Sequence, residues 1–416
     1  MIHPMHGIRR FGLCLVLTAM GLVAASPPAS AAEKKEQQIS RVIAKEMMAA
    51  QKALQASQWA EALKNLDAAE AKGGLTEFDK KTILDFKGFA NVRLGNLKAA
   101  QANYEAALAT GLYSPEDAAR TTRTLFRLAA GAQEYTKAVG FGKTVVDNGS
   151  ANSDDYLIMT QSYYLLKDCK DAVVWADKAI AFDRKAGEAP KENLFLFKLQ
   201  CAADANDTPA TVTALEDLIR LNGKPDYWNK LLRIERQEQK DDHSLLMIYR
   251  LMFDTNSMNA GSDYIEMAQL LGDAGLPGEA ESVLEKGISS GQIPQEQRER
   301  SARLLNAIKA RAESDKKGLA QFDAEATKNP AGELDVKLGE VYYGFGDYQN
   351  AVKAIQAGLQ KGQIKHLDEA YVYLGRAEAA LKNGAEARKA FLGLKPLPGA
   401  NAQLVKLFDL YGEKVG

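Results

Sequence analysis

Histidine, cysteine and proline are scarce in this sequence of 416 residues, which contains four histidines, three cysteines and 12 prolines. Two of the histidines, His3 and His6, lie within the first ten residues. The rest of the chain is therefore poor in metal ligands and general bases. Neither sign of charge is in excess, since 53 Lys and Arg residues face 54 Asp and Glu residues. This balance excludes bulk electrostatic attraction to nucleic acid or to an anionic membrane.

Residues 1–31 have the three parts of a secretory signal sequence. Arg9 and Arg10 precede an apolar run from Phe11 to Ala25, and Ala29-Ser30-Ala31 forms a small-x-small cleavage site. The apolar run has about 15 residues, which is fewer than the ~20 needed to span a bilayer. We therefore predict a cleaved signal peptide over 1–31 and a periplasmic location for the mature chain without a transmembrane segment.

The chain from residue 32 onward has apolar residues at i, i+3, i+4 and i+7, and it lacks the alternation of strands, so we predict an all-α protein. A unit of two helices recurs, in which a small residue of the first helix precedes by twelve a small residue of the second. In one clear copy these residues are Gly339 and Ala351, and Gly346-Asp347-Tyr348 forms the turn. Because Gly339 and Ala351 have almost no side chain, the two helices can approach closely.

Ten such units fit a period of about 34 residues with inserted loop residues. The small residues that open their second helices are Ala62, Ala100, Ala138, Ala172, Ala210, Ser244, Ala280, Ala320, Ala351 and Ala387. The repeat boundaries are least defined over 300–330. We predict that 32–416 is one continuous array, with a bend near 185–226, where the chain has polar, proline-containing breaks.

Three segments carry a resemblance to the tetratricopeptide repeat family: Trp228-x-x-Leu231, Leu338-Gly339-x-x-Tyr342 and Ala100-x-x-x-Tyr104-x-x-Ala107. The resemblance implies an α-solenoid, a right-handed superhelix of about ten helix pairs held together by contacts between neighbours. In such arrays the first helices line a concave groove, which is the expected binding surface for a protein or peptide segment.

A narrower resemblance rests on Pro190-Lys191-Glu192-Asn193, Lys224-Pro225-Asp226-Tyr227-Trp228 and Gly275-Leu276-Pro277. These segments, with closing units at Leu338-Gly339 and Leu374-Gly375, are similar to periplasmic repeat proteins associated with TonB, ExbB and ExbD clusters. The resemblance implies a scaffold that supports TonB-dependent energised transport across the outer membrane, with TonB–ExbB–ExbD components or a TonB-dependent receptor as partner. The alternative is a scaffold for envelope biogenesis, namely outer-membrane assembly, polysaccharide export or cell-wall synthesis.

Groove-facing positions lie six and three residues before the small residue of a first helix, and one and four after it. They select four aromatic residues as candidate peptide contacts: Phe89, Tyr164, Phe195 and Tyr343. They also select Arg120, Arg123 and Arg127 on one helix, and Arg233 with Arg236 on another, which an anionic partner would explain. The alternative for the arginines is a surface balanced by acids such as Glu116 and Asp117.

Most sequence patterns of catalytic sites are missing from the chain. His243 and His366 are the histidines that remain after the leader, and they lie far apart in the chain, so we expect neither a paired-histidine metal site nor a catalytic triad. No CxxC, HExxH or P-loop pattern occurs. Helical repeats occupy both ends of the mature chain. We therefore predict a protein that is not an enzyme and that uses no cofactor and no metal.

Cys169 and Cys201 are the cysteines of the predicted mature chain. Export to an oxidising compartment favours a disulfide between them, provided that their Cα atoms lie within roughly 7 Å. The alternative is that Cys201 is a small buried apolar residue and Cys169 is a partly exposed thiol. Of these two alternatives we prefer the second.

Overall fold

The computed structural model describes residues 38–395, 397 and 401–416. The predicted signal peptide over 1–31 lies outside the described residues. Those residues form 20 α-helices and one short 3₁₀ turn, with no strand among them, so the all-α prediction is confirmed. The chain divides into two compact units, Met1–Cys201 and Ala202–Gly416, and the division falls inside the 185–226 segment where we predict a bend. Continuity of the array across this division stays a prediction.

Unit 1 (Met1–Cys201) is built from consecutive pairs of antiparallel helices. They are α1 (Ala44–Gln55), α2 (Trp59–Glu70), α3 (Glu77–Leu94), α4 (Leu97–Ala109), α5 (Pro115–Gly131), α6 (Tyr135–Asp147), α7 (Ser153–Leu165), α8 (Cys169–Lys185) and the first part of α9 (Glu192–Asp204).

Unit 2 (Ala202–Gly416) continues the same alternation of helices and short turns. Its helices after α9 are α10 (Thr208–Asn222), α11 (Pro225–Glu238), α12 (Asp242–Asp254), α13 (Gly261–Asp273), α14 (Pro277–Ser289), α15 (Arg298–Lys328), α16 (Glu333–Gly344), α17 (Tyr348–Lys361), α18 (Leu367–Ala380), α19 (Gly384–Leu392) and α20 (Ala402–Val415), with the 3₁₀ turn at Gln295–Gln297.

The turn inside most helix pairs has the same backbone shape; the turn between α11 and α12 is an exception. One residue after the first helix adopts a positive φ, which lets the chain reverse within three residues. In unit 1 these residues are Ser57, Gly95, Gln133 and Lys167, with φ of 57°, 78°, 64° and 62°. In unit 2 Gly275, Gly346 and Lys382 do the same, with φ of 77°, 78° and 63°. This recurrence supports the helix-pair repeat.

The small residues of the repeat also take their predicted places in most units. Ala62, Ala100, Ala138, Ala172, Ala280, Ala351 and Ala387 are all completely buried between the helices of a pair. A Cβ added to Gly339 would collide with Ile355 and lie 3.1 Å from the carbonyl oxygen of Ala351. The close approach predicted for α16 and α17 is therefore confirmed. Ala210 is exposed, and the buried alanine of α10 is Ala214, so that anchor was wrong.

The helix pair that we predict around Ala320 does not form. A single helix, α15, runs over 31 residues from Arg298 to Lys328, and Ala320 is exposed on it. Ser314-Asp315 and Gly318 resemble a turn in the sequence. A glycine in an exposed helix costs only about 1 kcal/mol, however, and the flanking Ala, Lys, Glu and Arg residues favour helix strongly.

After α15 the chain of unit 2 turns back on itself. The first helix α16 packs against α14, and the first helix α20 packs against α10 and α12. The first helix α18 contacts α12 through Arg250 and Tyr373. These first helices thus pack against second helices of the same unit. Among the described residues, no helix combines the length and the apolarity that crossing a bilayer requires.

Candidate functional site

Arg123 and Arg127 of α5 converge on one buried carboxylate. Arg123 Nε lies 3.1 Å from Asp155 Oδ2, and Arg127 Nη2 lies 2.9 Å from Asp155 Oδ1. Asp155 is the third residue of α7, has no exposed surface, and accepts the backbone N–H of Asn152 at the start of that helix. An unpaired carboxylate at this depth would be costly, so the two arginines stabilise the fold by neutralising it.

The same arrangement occurs on the second predicted arginine helix. Arg233 Nη2 and Arg236 Nη1 of α11 each lie 3.0 Å from an oxygen of Asp263. Asp263 is the third residue of α13 and is 1% exposed. In both units, two arginines of a first helix therefore hold an aspartate at the start of the next first helix. The acids that balance these arginines are Asp155 and Asp263, rather than the exposed acids that we considered.

Arg120 differs from the other four arginines. Its side chain is 57% exposed, and it pairs with Asp117 one turn earlier in α5. An exposed pair of this kind adds little to stability. Arg120 is consequently the predicted groove arginine that has the weakest structural task and the freest access to a partner.

Two of the predicted aromatic contacts are half-buried in unit 1. The ring of Phe89 on α3 meets that of Trp59 edge-on with centroids 5.7 Å apart, and the Arg93 guanidinium lies 5.2 Å from the Phe89 centroid. The ring of Tyr164 on α7 lies 5.2 Å from that of Phe197. Both side chains are half-buried and keep part of their surface exposed.

Of the other two aromatics, Phe195 is buried and Tyr343 is half-buried within a packed cluster. Phe195 is 3% exposed, so the prediction that it faces a groove is wrong. The buried neighbours Leu194 and Phe197 show that α9 turns several apolar residues inward and that the offset rule selected the wrong face. Tyr343 packs against Tyr373, with centroids 5.3 Å apart, and against the guanidinium of Arg376, 4.5 Å from its centroid.

Tyr343 borders a buried network of charged and phenolic groups in unit 2 that the sequence analysis missed. Arg376 on α18 binds both oxygens of Asp254 at 2.7 and 3.1 Å, and its Nη1 donates to Glu279 Oε1 at 2.7 Å. Arg250 on α12 donates to the hydroxyl of Tyr373 at 2.5 Å. That hydroxyl donates in turn to Glu279 at 2.6 Å.

Each charge in this network is balanced by an opposite one. Arg250 is 0% exposed and Arg376 is 2% exposed. Burial raises the pKa of the Glu279 carboxyl, but the neighbouring Arg376 and Arg250 lower it more, so the pKa ends below its usual value. The sequence does carry one signal for this network, because Arg250 interrupts the apolar stretch Leu245-Leu246-Met247-Ile248-Tyr249 and Leu251-Met252-Phe253. A lone charge in such a run indicates a buried ion pair.

The two histidines lie side by side in unit 2, so the expectation that distance in the chain separates them was wrong. The rings of His243 and His366 have centroids 5.4 Å apart. His243 Nε2 lies 2.8 Å from Asp368 Oδ2, and His243 Nδ1 lies 3.5 Å from Glu369 Oε1. Hydrogen bonds to Asp368 and Glu369 raise the pKa of the His243 imidazole to about 9.

One short motif of hydrolases occurs at Gly287-Ile288-Ser289-Ser290-Gly291. A nucleophile elbow of this pattern places its serine at a sharp turn between a strand and a helix. Here Ser289 is the last residue of α14, and its hydroxyl donates to the carbonyl of Lys286 at 3.2 Å. The segment is a helix end, and the absence of enzyme activity stays a prediction.

Cys169 and Cys201 form a disulfide within unit 1, with Cα atoms 5.4 Å apart. The preferred alternative of two free thiols was therefore wrong. Cys169 opens α8 and Cys201 lies on α9, where it belongs to the same apolar cluster as Phe126, Met159 and Trp175. Packing of consecutive helices, rather than proximity in sequence, brings the two side chains together.

No protein-family model matches this sequence, and no curated protein is significantly similar to it. Solved structures similar to it include a tetratricopeptide repeat protein from Parabacteroides merdae, at 12% identity and a TM-score of 0.29, over 90% of this chain and 100% of that one. The Naa15/Naa10 complex bound to HypK-THB is 13% identical with a TM-score of 0.43, over 92% of this chain and 62% of that one.

A third similar structure is the C-terminal part of a TPR repeat-containing protein from Cytophaga hutchinsonii. It is 13% identical with a TM-score of 0.26, over 70% of this chain and 98% of that one. Likeness at this distance does not extend to partners or site residues. The recurring helix pairs, their positive-φ turns and their buried small residues identify the fold as a tetratricopeptide-like α-solenoid.

Proposed function

We propose that this protein is a periplasmic scaffold that binds a protein or peptide segment and supports TonB-dependent energised transport across the outer membrane. Three features support the proposal: the predicted leader over 1–31, the helix-pair architecture, and the resemblance to repeat proteins of TonB–ExbB–ExbD clusters. The Cys169–Cys201 disulfide adds support for the location, since structural disulfides are characteristic of oxidising compartments.

The contrast between the predicted contact residues of the two units carries the binding proposal. In unit 1 the first helices α3, α5 and α7 present Phe89, Arg120 and Tyr164 with part of each side chain exposed. In unit 2 Tyr343 is also half-buried, but Tyr373 and the Arg376 guanidinium both pack against its ring, and Arg233 and Arg236 hold Asp263. Unit 1 is therefore the unit to which we assign the partner.

The chemistry of these side chains indicates what the partner offers. Half-exposed aromatic rings provide apolar area at a low entropic cost, and an exposed arginine pairs with a carboxylate. On α5 Arg123 and Arg127 hold the buried Asp155, whereas Arg120 is mostly exposed and pairs with Asp117 of its own helix. A segment with apolar and acidic residues fits this surface.

Crosslinking in cells followed by mass spectrometry tests the proposal. We expect peptides of TonB, ExbB, ExbD or a TonB-dependent receptor to be linked to unit 1. The combined variant Phe89→Ala, Arg120→Ala and Tyr164→Ala should lose these links while keeping its helical circular dichroism. Replacing the exposed Lys64, Glu77 and Lys80 by Ala provides a control that alters the same unit without touching the proposed surface.

Three outcomes would each contradict part of this functional assignment. Consistent recovery of outer-membrane assembly, polysaccharide export or cell-wall synthesis proteins would replace the TonB assignment by the envelope-biogenesis alternative. Accumulation of the unprocessed chain in the cytoplasm, measured by fractionation and intact mass, would remove the periplasmic assignment. Turnover of peptidoglycan by the purified protein would contradict the prediction that it is not an enzyme.

A further inference from the structure

Three side chains that can ligate a metal converge between two helices of unit 2. His243 is the second residue of α12, His366 immediately precedes α18, and Asp368 is the second residue of α18. One ligand atom from each of the three can be chosen so that all lie within 4.8 Å of one another. We propose that His243, His366 and Asp368 bind one divalent transition-metal ion with the ligand preference of zinc.

The donor set decides the class of metal. Two imidazoles and one carboxylate suit Zn²⁺ and its neighbours, whereas Mg²⁺ and Ca²⁺ require shells made of oxygen. Zn–N and Zn–O bonds of about 2.0 to 2.2 Å place ligand atoms roughly 3.3 Å apart in a tetrahedron. All three side chains are only half-buried, so rotation about their side-chain bonds can close the remaining distance without moving the helices.

The side chain of His366 has no capping role that would explain its position. It occupies the N-cap of α18 without a side-chain capping hydrogen bond, and its ring lies beside that of His243. Asp, Asn, Ser and Thr are the residues that stabilise this position. A shared metal ion would explain why a histidine occupies this position beside His243.

The charges around the site favour a cation. Asp241 caps α12 beside His243, and Asp368 contacts His243. Glu369 has one oxygen 3.5 Å from His243 Nδ1, and Arg250 and Lys337 each place a nitrogen 3.5 Å from one of its oxygens. Because these two cations hold its carboxylate, we treat Glu369 as a neighbour of the site and not as a fourth ligand. A three-ligand site of this kind leaves one position of a tetrahedron for water.

Zinc binding can be measured directly on the protein stripped with a chelator and carrying no histidine tag. His3 and His6 are replaced by Gln wherever the leader remains on the chain. Competition with a chromophoric chelator should show one bound Zn²⁺ per chain, and Zn²⁺ but not Mg²⁺ should raise the melting temperature. His366→Gln should weaken Zn²⁺ binding by at least about tenfold while leaving the melting temperature of the metal-free protein within about 2 °C of the parent.

Lys365→Gln is the matched control, because it changes the neighbouring residue and should leave the affinity for Zn²⁺ unchanged. Asp368→Asn provides a second ligand variant that keeps the shape of the side chain. Absence of stoichiometric binding by the parent, or binding that neither His366→Gln nor Asp368→Asn weakens, would overturn the proposal. None of these measurements involves the partner, so their outcome is independent of the proposed scaffold function.

Discussion

The two units are built from the same helix pair and differ in what they bury. Unit 1 buries apolar clusters such as that of Phe126, Met159 and Trp175, and it is closed by a disulfide. Unit 2 buries two complete arginine side chains, Arg250 and Arg376, together with their carboxylate partners. Most large apolar side chains that remain exposed lie in unit 1, namely Val42, Met48, Leu94, Leu112, Leu165, Leu166 and Val174.

The difference follows from the course of the chain after α15. In an open array the outer faces of second helices meet water, so polar residues there need no partner. In unit 2 the returning helices α16, α18 and α20 cover these faces, and every charge on them must be paired within the protein. The buried network is thus the consequence of a solenoid that folds back, whereas unit 1 follows the ordinary stacking of neighbours.

Removal of one arginine from the network should produce the largest effect. Arg376→Met leaves Asp254 and Glu279 buried without their cation, and losing one partner of such a pair typically costs about 3 to 5 kcal/mol. We expect hydrogen exchange to accelerate in α12, α14 and α18 and to stay unchanged in unit 1. The control Arg184→Met, at an exposed arginine of α8 in unit 1, should change the free energy of unfolding by less than about 0.5 kcal/mol.

The second prediction concerns the disulfide of unit 1. Replacing Cys169 and Cys201 by Ala removes a crosslink between residues 32 apart in the chain, which the chain-entropy model values at about 3 to 4 kcal/mol. The loss should be confined to the exchange rates of unit 1. The unfolded, unreduced mature protein should show no reactive thiol, and the detection of two would contradict the bridge.

The sequence predicts what is local and misses what depends on distant contacts. Helical periodicity and the spacing of small residues were sufficient for most of the helix pairs, including the contact of Gly339 with Ala351. The partners of Arg127 and Arg236 were not predictable, because Asp155 and Asp263 belong to the next helix pair. The meeting of His243 with His366 depends on the return of the chain after α15, where a plausible turn is in fact continuous helix.

A third prediction concerns the pH dependence of unit 2. Burial raises the pKa of Glu340 to about 7, although Lys337 Nζ lies 2.9 Å from its carboxylate. Because the unfolded chain releases this proton at lower pH, the contribution of Glu340 to stability is complete below about pH 4.5 and is lost as the pH rises towards 7. Glu340→Gln should therefore gain stability relative to the parent between pH 5 and 8, by at most about 3 kcal/mol.

Urea denaturation at pH 5 and pH 8 measures this difference. The control is Glu61→Gln, at an exposed glutamate on α2 of unit 1. Its stability relative to the parent should be the same at both pH values. If Glu340→Gln behaves as Glu61→Gln does, the carboxyl of Glu340 is ionised in the folded protein across the whole range. The buried charge of unit 2 would then be better compensated than the geometry indicates.

The smallest expected effect concerns glycine-to-alanine substitutions at the same repeat position of the two units. Gly88 in unit 1 and Gly339 in unit 2 each precede by twelve the small residue of the paired helix. An added Cβ at Gly88 would lie 2.8 Å from the ring of Tyr104. At Gly339 it would collide with Ile355 and come within 3.1 Å of a backbone oxygen. Overpacking typically costs about 1 to 3 kcal/mol, and the better helix propensity of Ala returns about 1.

We therefore expect Gly88→Ala and Gly339→Ala to destabilise modestly, with the larger loss at Gly339. A tyrosine ring can tilt away from a methyl group, whereas the carbonyl of Ala351 can move only if α17 moves with it. Gly272→Ala on α13 is the control, because an added Cβ meets nothing within 4 Å there, and it should stabilise by about 1 kcal/mol. If all three variants raised the melting temperature by the same amount, the helices of a pair would pack less closely than this spacing requires.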